Sequence, residues 1–186
     1  PCPARRPSQH RHRNPMIIRE TTPGDMAQIM ALYPQAFPEE DLTQLVTRLL
    51  ACDAQLLSLA GFQGDTLMAH LLFSFGDTQP GLKKGALLGP LAVAPPQQKQ
   101  GRGSHLVRAG LDQLAAIGFA RVFVLGDPAY YRRFGFMPER DVMPPCPVPD
   151  AWADAWQSLV LAQQAPLQAG TLSLPAPWMD PALWGP

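Results

Sequence analysis

The stretch from residue 86 to residue 117 limits the fold more than any other, because it predicts a strand, a loop and a helix in direct succession. Its first residues form a nearly continuous apolar run, which is typical of a strand covered on both faces. Gly89-Pro90 interrupts the run, and since proline has no N–H for a sheet ladder, this pair predicts a bulge or a splay. From Ser104 onward, apolar residues recur at spacings of three and four, which predicts a helix ended by Gly118.

The loop between this strand and this helix has the composition of an anion site. A glycine-bearing loop that enters a helix presents unpaired backbone N–H groups and the positive end of the helix dipole, and phosphate suits both. The alternative is a connection without a ligand, in which the glycines only permit unusual dihedral angles. The loop residues are Gln98, Lys99, Gln100, Gly101, Arg102, Gly103 and Ser104.

The spacing of the glycines excludes the two commonest phosphate motifs. The chain has no Gly-Lys-Ser/Thr sequence here, so the P-loop of triphosphate-binding proteins does not match. Leu106 stands where the dinucleotide fingerprint requires its third glycine. A nucleotide-binding α/β domain of another kind stays open as an alternative.

A second motif follows the helix. Residues 121–126 predict a short strand, and Asp127-Pro128 is a helix-start signal with an N-cap and a first-position proline. The short helix holds Tyr131 and ends at Gly135-Phe136. Together with Gln98-x-x-Gly101-x-Gly103 after Leu91-x-Val93-x-Pro95, this motif resembles the GNAT acyltransferase superfamily.

The resemblance covers roughly residues 16–136 and implies the GNAT fold, an α/β (α+β) architecture. Its sheet is mixed and mostly antiparallel, with about six or seven strands and with helices on both faces. The order predicted from the sequence agrees with it: a strand, two helices, three strands, the loop-and-helix unit, a strand and a short helix.

The patterns outside the two motifs predict the surrounding elements. The residues from Thr22 to Asp25 form a capping signal before the first helix. A second helix is predicted from about residue 39 to residue 51, after a loop at residues 34–38 that could border a substrate. Further strands are predicted at residues 16–20, 55–62, 66–75, 157–163 and 171–174.

The resemblance also implies a chemistry, in which acetyl-CoA gives its acetyl group directly to an amine without a covalent enzyme intermediate and without a metal. Tyr131 falls on the position that commonly protonates the departing thiolate. The backbone of Leu91, Ala92 and Val93 would pair with the pantetheine arm, and the loop from Gln98 to Ser104 would hold the pyrophosphate. The alternative for Tyr131 is a packing residue with its hydroxyl at the surface.

The base for such a reaction is not evident, because residues 87–94 contain no carboxylate. Glu39, Glu40 and Asp77 could reach the site from loops, and His70 could act through water. A buried, hydrogen-bonded histidine is the favoured interpretation of His70. Cys146 lies between prolines with no adjacent histidine, which favours an incidental loop cysteine over a nucleophile.

Composition places the chain in a general class. Residues 1–15 are basic and proline-rich and are interpreted as a tail or remnant, and residues 16–186 as one GNAT domain with its motif core at 86–136 and an irregular part at 137–186. The tail holds four of the fifteen Lys and Arg residues, so eleven remain against fifteen acidic residues, which argues against a nucleic-acid partner.

No apolar run approaches the ~18 residues that a membrane span requires. The three cysteines have no metal or redox spacing, which favours a reducing, cytoplasmic setting, and the exposed late strands favour a homodimer. The sequence therefore predicts an acetyl-CoA-dependent N-acetyltransferase. Its acceptor stays open among a small amine, an aminoglycoside, a polyamine, a protein N-terminus and a lysine side chain. The alternative is a non-catalytic CoA or acyl-CoA sensor, which would keep the loop but would not need Tyr131.

Overall fold

The computed structural model describes residues 15–78, 84–162 and 169–186. Its helices are α1 (Met26–Ala36), α2 (Thr43–Ala51), α3 (Arg102–Ala116) and α4 (Pro128–Tyr131). Its strands are β1 (Ile17–Glu20), β2 (Leu56–Gln63), β3 (Thr66–Thr78), β4 (Gly85–Val93), β5 (Arg121–Leu125), β6 (Met137–Pro138), β7 (Val142–Met143), β8 (Trp156–Val160) and β9 (Gly170–Ser173). This order confirms the succession of elements that the sequence predicts.

The strands form a mixed sheet in the order β1-β2-β3-β4-β5-β8-β6. Each neighbouring pair on this path is antiparallel except β4 with β5, which is parallel. Strand β9 pairs with the end of β3 and with β7. The predicted α/β class with a mixed, mostly antiparallel sheet is confirmed.

Helices pack on both faces of the sheet because each carries one apolar stripe. On one face, Ile29 of α1 and Leu49 of α2 are buried in the same core. On the other face, Leu106 and Leu114 of α3 are fully buried in a second core. Within the described ranges, none of the helices is long and apolar enough to cross a membrane.

The chain between α1 and α2 differs from the prediction in two ways. Helix α1 continues through Pro34 to Ala36, so these residues are helical rather than part of a loop. Proline is tolerated there because it removes only one hydrogen bond from the last turn. Helix α2 begins at Thr43 and not near Glu39, because the Asp41 carboxylate accepts a hydrogen bond from the Thr43 N–H at 3.1 Å and the chain before it turns.

The two late strands and the end of the chain join the same structure. Strand β8 pairs with β5 along its length, as the weak pattern at residues 157–163 predicts. Trp156, Trp178 and Trp184 are all buried, so the last residues of the chain are anchored in the core. The Trp178 indole donates to Ser74 Oγ at 2.8 Å, and the Trp184 indole donates to the Trp178 carbonyl at 2.8 Å.

Candidate active site

The sheet opens in its middle, where β4 separates from β5. Their parallel pairing runs only from Gly85 with Arg121 to Leu87 with Phe123. On the other side of β4, the register with β3 shifts by one residue between Leu71 and Phe73, opposite Gly89-Pro90. The predicted bulge is confirmed, and the strand diverges from its neighbour after it.

The divergence leaves backbone groups of β4 without a partner among the described strands. Ala94 donates its N–H to the Met68 carbonyl of β3 at 2.9 Å, and backbone groups alternate between the two edges of an extended strand. The N–H and C=O groups of Leu91 and Val93 therefore face the open edge. One of them is already accessible to a side chain, since Gln98 Nε2 donates to the Val93 carbonyl at 3.0 Å.

A cavity of about 570 Å³ lies between this edge and the start of α3, and we call it the loop cavity. Three cations line it, Lys99, Arg102 and Arg133, and no carboxylate lines it among the described residues. Arg102 Nε is buried and has no hydrogen-bond partner in the described part of the chain. The other lining residues are Ala36, Phe37, Leu91, Val93, Gln97, Gln98, Gly101, Gly103, Ser104 and Tyr130.

The first turn of α3 leaves its backbone N–H groups uncapped by the described side chains. Gly101 has a φ of 77°, a left-handed conformation that favours glycine, and no described side chain caps the turn after it. The first N–H groups of the helix are therefore free toward the loop cavity. A methyl group added to Gly103 would lie 3.2 Å from Tyr130 Oη and 3.3 Å from Val93 Cγ2, so the glycine keeps this approach open.

A second cavity of about 330 Å³, the splay cavity, occupies the gap between β4 and β5. Phe37 and Leu91 form walls of both cavities, so the two adjoin. The lining of the splay cavity is mostly apolar, and from β4 and β5 it is formed by Leu87, Leu88, Gly89, Pro90, Leu91, Val124 and Leu125.

Tyr131 lines the splay cavity, and the start of α4 fixes its position. Asp127 Oδ1 accepts the Ala129 N–H at 2.9 Å, which confirms the predicted N-cap with Pro128 at the first helical position. The Tyr131 ring packs against Phe136 with ring centroids 5.7 Å apart. Burial raises the pKa of the Tyr131 phenol well above its ordinary value, so the hydroxyl keeps its proton at neutral pH.

The structure brings most of the sequence-predicted site residues into these two adjoining cavities. Ala92 and Gln100 lie elsewhere: Ala92 is buried on the α1 face of the sheet, and the Gln100 amide donates to the Pro96 carbonyl at 2.8 Å. The residues that line the cavities are Leu91, Val93, Gln98, Lys99, Gly101, Arg102, Gly103, Ser104 and Tyr131.

Of the four residues considered as bases, Glu40 alone lines the splay cavity. Asp77 lies in a separate cavity beside Lys84, at the other end of β3 and β4. Glu39 is exposed and is not among the residues that line the described cavities.

His70 is fully buried, which confirms the interpretation as a core histidine. Its Nδ1 lies 2.7 Å from Tyr33 Oη and its Nε2 lies 2.9 Å from Ser58 Oγ. Thr21 extends this chain by donating to Ser58 Oγ at 2.6 Å. Burial lowers the pKa of His70 to about 3, so the ring is neutral and both its nitrogens are engaged.

Cys146 is buried, with its sulfur 3.9 Å from the Met179 carbonyl oxygen. This placement agrees with an incidental cysteine. Among residues 15–78, 84–162 and 169–186, no group of three His, Cys, Asp or Glu side chains could hold a metal ion.

Several lining residues were not found from the sequence. Tyr130 and Arg133 belong to the second motif but face the loop cavity, where Arg133 Nη1 lies 3.4 Å from Ser104 Oγ. The adjacent Tyr-Tyr and Arg-Arg pairs signal this segment, but only its tertiary packing beside the start of α3 decides which member of each pair lines the cavity. Trp178, Leu183 and Trp184 close the splay cavity from the far end of the chain.

Comparisons with known proteins agree with this geometry. A family model described as the acetyltransferase (GNAT) family matches residues 26–136. The N-acetyltransferase YjhQ of Escherichia coli (strain K12) is 31% identical over 152 residues, which cover 77% of this chain and 83% of the relative.

Two solved structures are also similar. A GNAT family acetyltransferase from Brucella melitensis in complex with acetyl-CoA is 30% identical with a TM-score of 0.72, covering 88% of this chain and 98% of that one. The N-acetyltransferase YhbS from Escherichia coli in complex with CoA is 29% identical with a TM-score of 0.75, covering 86% and 89%.

Proposed function

Because the chain belongs to the acetyltransferase (GNAT) family, we propose that it transfers an acetyl group from acetyl-CoA to a primary amine by direct attack in a ternary complex. The observation that carries the proposal is the open edge of β4 beside the loop cavity. Leu91 and Val93 offer backbone groups to an extended amide chain there, and the first turn of α3 offers N–H groups to phosphate.

The residues present fit acetyl-CoA in charge and in shape. Lys99, Arg102 and Arg133 would balance the negative phosphates, and the unpartnered Arg102 Nε would gain an acceptor. Gly103 keeps the helix start close to β4 without a side chain between them. The adjoining splay cavity would take the pantetheine arm and the thioester end.

Bound acetyl-CoA supplies an activated thioester carbonyl. The amine must be neutral to attack, since the protonated form of an alkylamine, with a pKa of ~10, has no free electron pair. Its nitrogen forms the new C–N bond with the acetyl carbon while the C–S bond breaks, and the sulfur leaves with the bonding electrons. The proton that the nitrogen loses passes to solvent.

Tyr131 is the proposed acid for the leaving sulfur. Its hydroxyl would give its proton to the thiolate and regain one from solvent, so the net products are the amide and the free thiol. The raised pKa of Tyr131 keeps the donating form populated across the neutral range.

A tyrosine-to-phenylalanine pair tests the proposal. Tyr131→Phe removes one hydroxyl from the splay cavity, and we expect a fall in kcat of roughly a hundredfold, with unchanged calorimetric binding of acetyl-CoA. Tyr130→Phe is the matched control, because its hydroxyl faces the loop cavity instead, and we expect its kcat to stay within about threefold of the parent. Thiol release from acetyl-CoA in the presence of an amine gives the rates. Equal rates for Tyr131→Phe and the parent would remove Tyr131 as the acid.

A further inference from the structure

A third concave surface, the outer groove, continues from the splay cavity to the exterior. It has a volume of about 650 Å³, and its lining includes Trp152, whose side chain is exposed. The outer groove therefore gives an incoming acceptor a route to the splay cavity that shares no lining residue with the loop cavity. The splay cavity and the outer groove share the wall residues Glu40, Leu125, Gly126, Asp127 and Leu183.

The loop cavity differs in charge from the splay cavity and the outer groove. The loop cavity is lined by three cations, whereas Glu40 and Asp127 are the charged residues that line the splay cavity and the outer groove in the described part of the chain. The two carboxylates differ in how they are engaged. Asp127 caps α4, while the Glu40 carboxylate makes no hydrogen bond or ion pair with any described residue.

The wall beside Glu40 is apolar and firmly held. Leu45 of α2 is buried, and Trp178 and Leu183 come from the last residues of the chain. The Trp178 indole donates a hydrogen bond to Ser74 of β3, which ties the wall to the sheet, and the Trp178 carbonyl accepts a second one from the Trp184 indole within the wall. A hydroxyl-rich acceptor placed against these side chains would lose hydrogen bonds to water without replacement.

We propose that the acceptor is a primary amine on a compact apolar body, which binds as the ammonium beside Glu40, releases that proton to solvent before it attacks, and packs its body against Leu45, Trp178 and Leu183. This inference rests on the proposed function, since it assigns the second substrate of the same reaction. A carboxylate beside an apolar wall matches an amine that carries an apolar body, whereas an aminoglycoside or a polyamine has few apolar groups to place against that wall.

Binding of small amines to the CoA-saturated protein tests the inference without turnover. The probes are 2-phenylethylamine, ethylamine, which lacks the ring, and 2-phenylethanol, which lacks the charge. We expect the first to bind at least about tenfold more tightly than either of the others in calorimetric titrations. Spermidine and kanamycin, the polycationic probes, should bind more weakly than 2-phenylethylamine.

Adjacent glutamates give a matched pair of variants. Glu40→Gln should reduce the affinity for 2-phenylethylamine about tenfold and leave that for 2-phenylethanol unchanged, while Glu39→Gln should change neither. Tighter binding of spermidine or kanamycin, no binding of any probe, or equal effects of the two variants would overturn the inference. A separate titration of the parent protein with acetyl-CoA tests the proposed function. If acetyl-CoA does not bind, the proposed function is wrong. If acetyl-CoA binds but the amine probes fail, only the acceptor inference is wrong.

Discussion

The loop cavity and the splay cavity adjoin, yet they are built from different kinds of sequence. The loop cavity comes mainly from one continuous segment, β4 through the start of α3, and is cationic. The wall of the splay cavity beside Glu40 comes from α2 and from the final residues of the chain, and it is apolar and acidic. In the proposed reaction, a local motif therefore binds the donor, and residues remote in sequence bind the acceptor.

We call the loop cavity the donor side and the wall of the splay cavity beside Glu40 the acceptor side. The largest loss of acetyl-CoA binding is expected on the donor side, from Gly103→Val. The added side chain would enter the space now bounded by Tyr130 Oη and Val93 Cγ2, and we expect acetyl-CoA binding to weaken by at least a hundredfold. Gly24→Val is the matched control, because a methyl group there meets only Thr22 Oγ1 at 3.7 Å. Calorimetry on both variants makes the comparison. If Gly103→Val bound acetyl-CoA as the parent does, the loop cavity would not be the phosphate site.

A smaller effect on the same side is expected from Arg133→Ala. Removing this cation from the loop cavity should weaken acetyl-CoA binding about tenfold, and the loss should shrink as salt is added. Arg132→Ala removes an equal charge from an exposed neighbour and should have little effect. Titrations at low and high salt test both variants. Equal losses of acetyl-CoA affinity in Arg133→Ala and Arg132→Ala would mean that the overall positive charge of this segment, and not the loop cavity, attracts the ligand.

The local motif explains why much of the donor side could be predicted. A strand, a glycine loop and a helix start are consecutive in sequence, so their spacing alone places Gly101, Gly103 and Ser104 together. The bulge at Gly89-Pro90 follows from the chemistry of proline. The order of the helices and strands can also be predicted, because the hydrophobic periodicity of each element lies within its own residues.

The acceptor side could not be predicted in this way. Trp178 bonds to Ser74 across 104 positions of sequence, and no local pattern reports such a contact. The acidic residues near Glu40 predict a helix start. In the structure the chain turns there instead, and Glu40 lines the splay cavity. Tertiary packing therefore decides the composition of this wall, and a single sequence does not encode it in any short pattern.

A moderate effect on the acceptor side alone is expected from Leu183→Gln. The amide would replace an apolar wall shared by the splay cavity and the outer groove, and KM for 2-phenylethylamine should rise about fivefold with acetyl-CoA binding unchanged. Leu161→Gln changes a similarly half-buried leucine outside these cavities and serves as the control. A change in acetyl-CoA affinity for Leu183→Gln would show that the two sides are not separable.

The last expected effect concerns stability and comes from His70, which is buried and lines neither cavity. The pKa of His70 is about 3 in the folded chain and 6.5 ordinarily, so the unfolded state takes up the proton first as the pH falls. Stability should decrease below about pH 6.5 by on the order of 1 kcal/mol per pH unit, with Tyr33, Ser58 and the charge of Asp25 facing the ring.

Urea unfolding between pH 7 and pH 4.5 measures this dependence. His70→Asn should be less stable at pH 7 but should lose the slope, whereas His105→Asn, at an exposed position, should keep it. A slope that survives in His70→Asn would assign the pH dependence to other groups.

In the proposed reaction, the open edge of β4 and the loop cavity act together on one donor. Calorimetric titration of the parent protein with acetyl-CoA and with ADP tests it most directly, because ADP carries a pyrophosphate but no pantetheine arm. We expect micromolar binding of acetyl-CoA and at least tenfold weaker binding of ADP. Equal affinities would mean that the open edge does not receive the arm, and no binding of acetyl-CoA would contradict the proposed function itself.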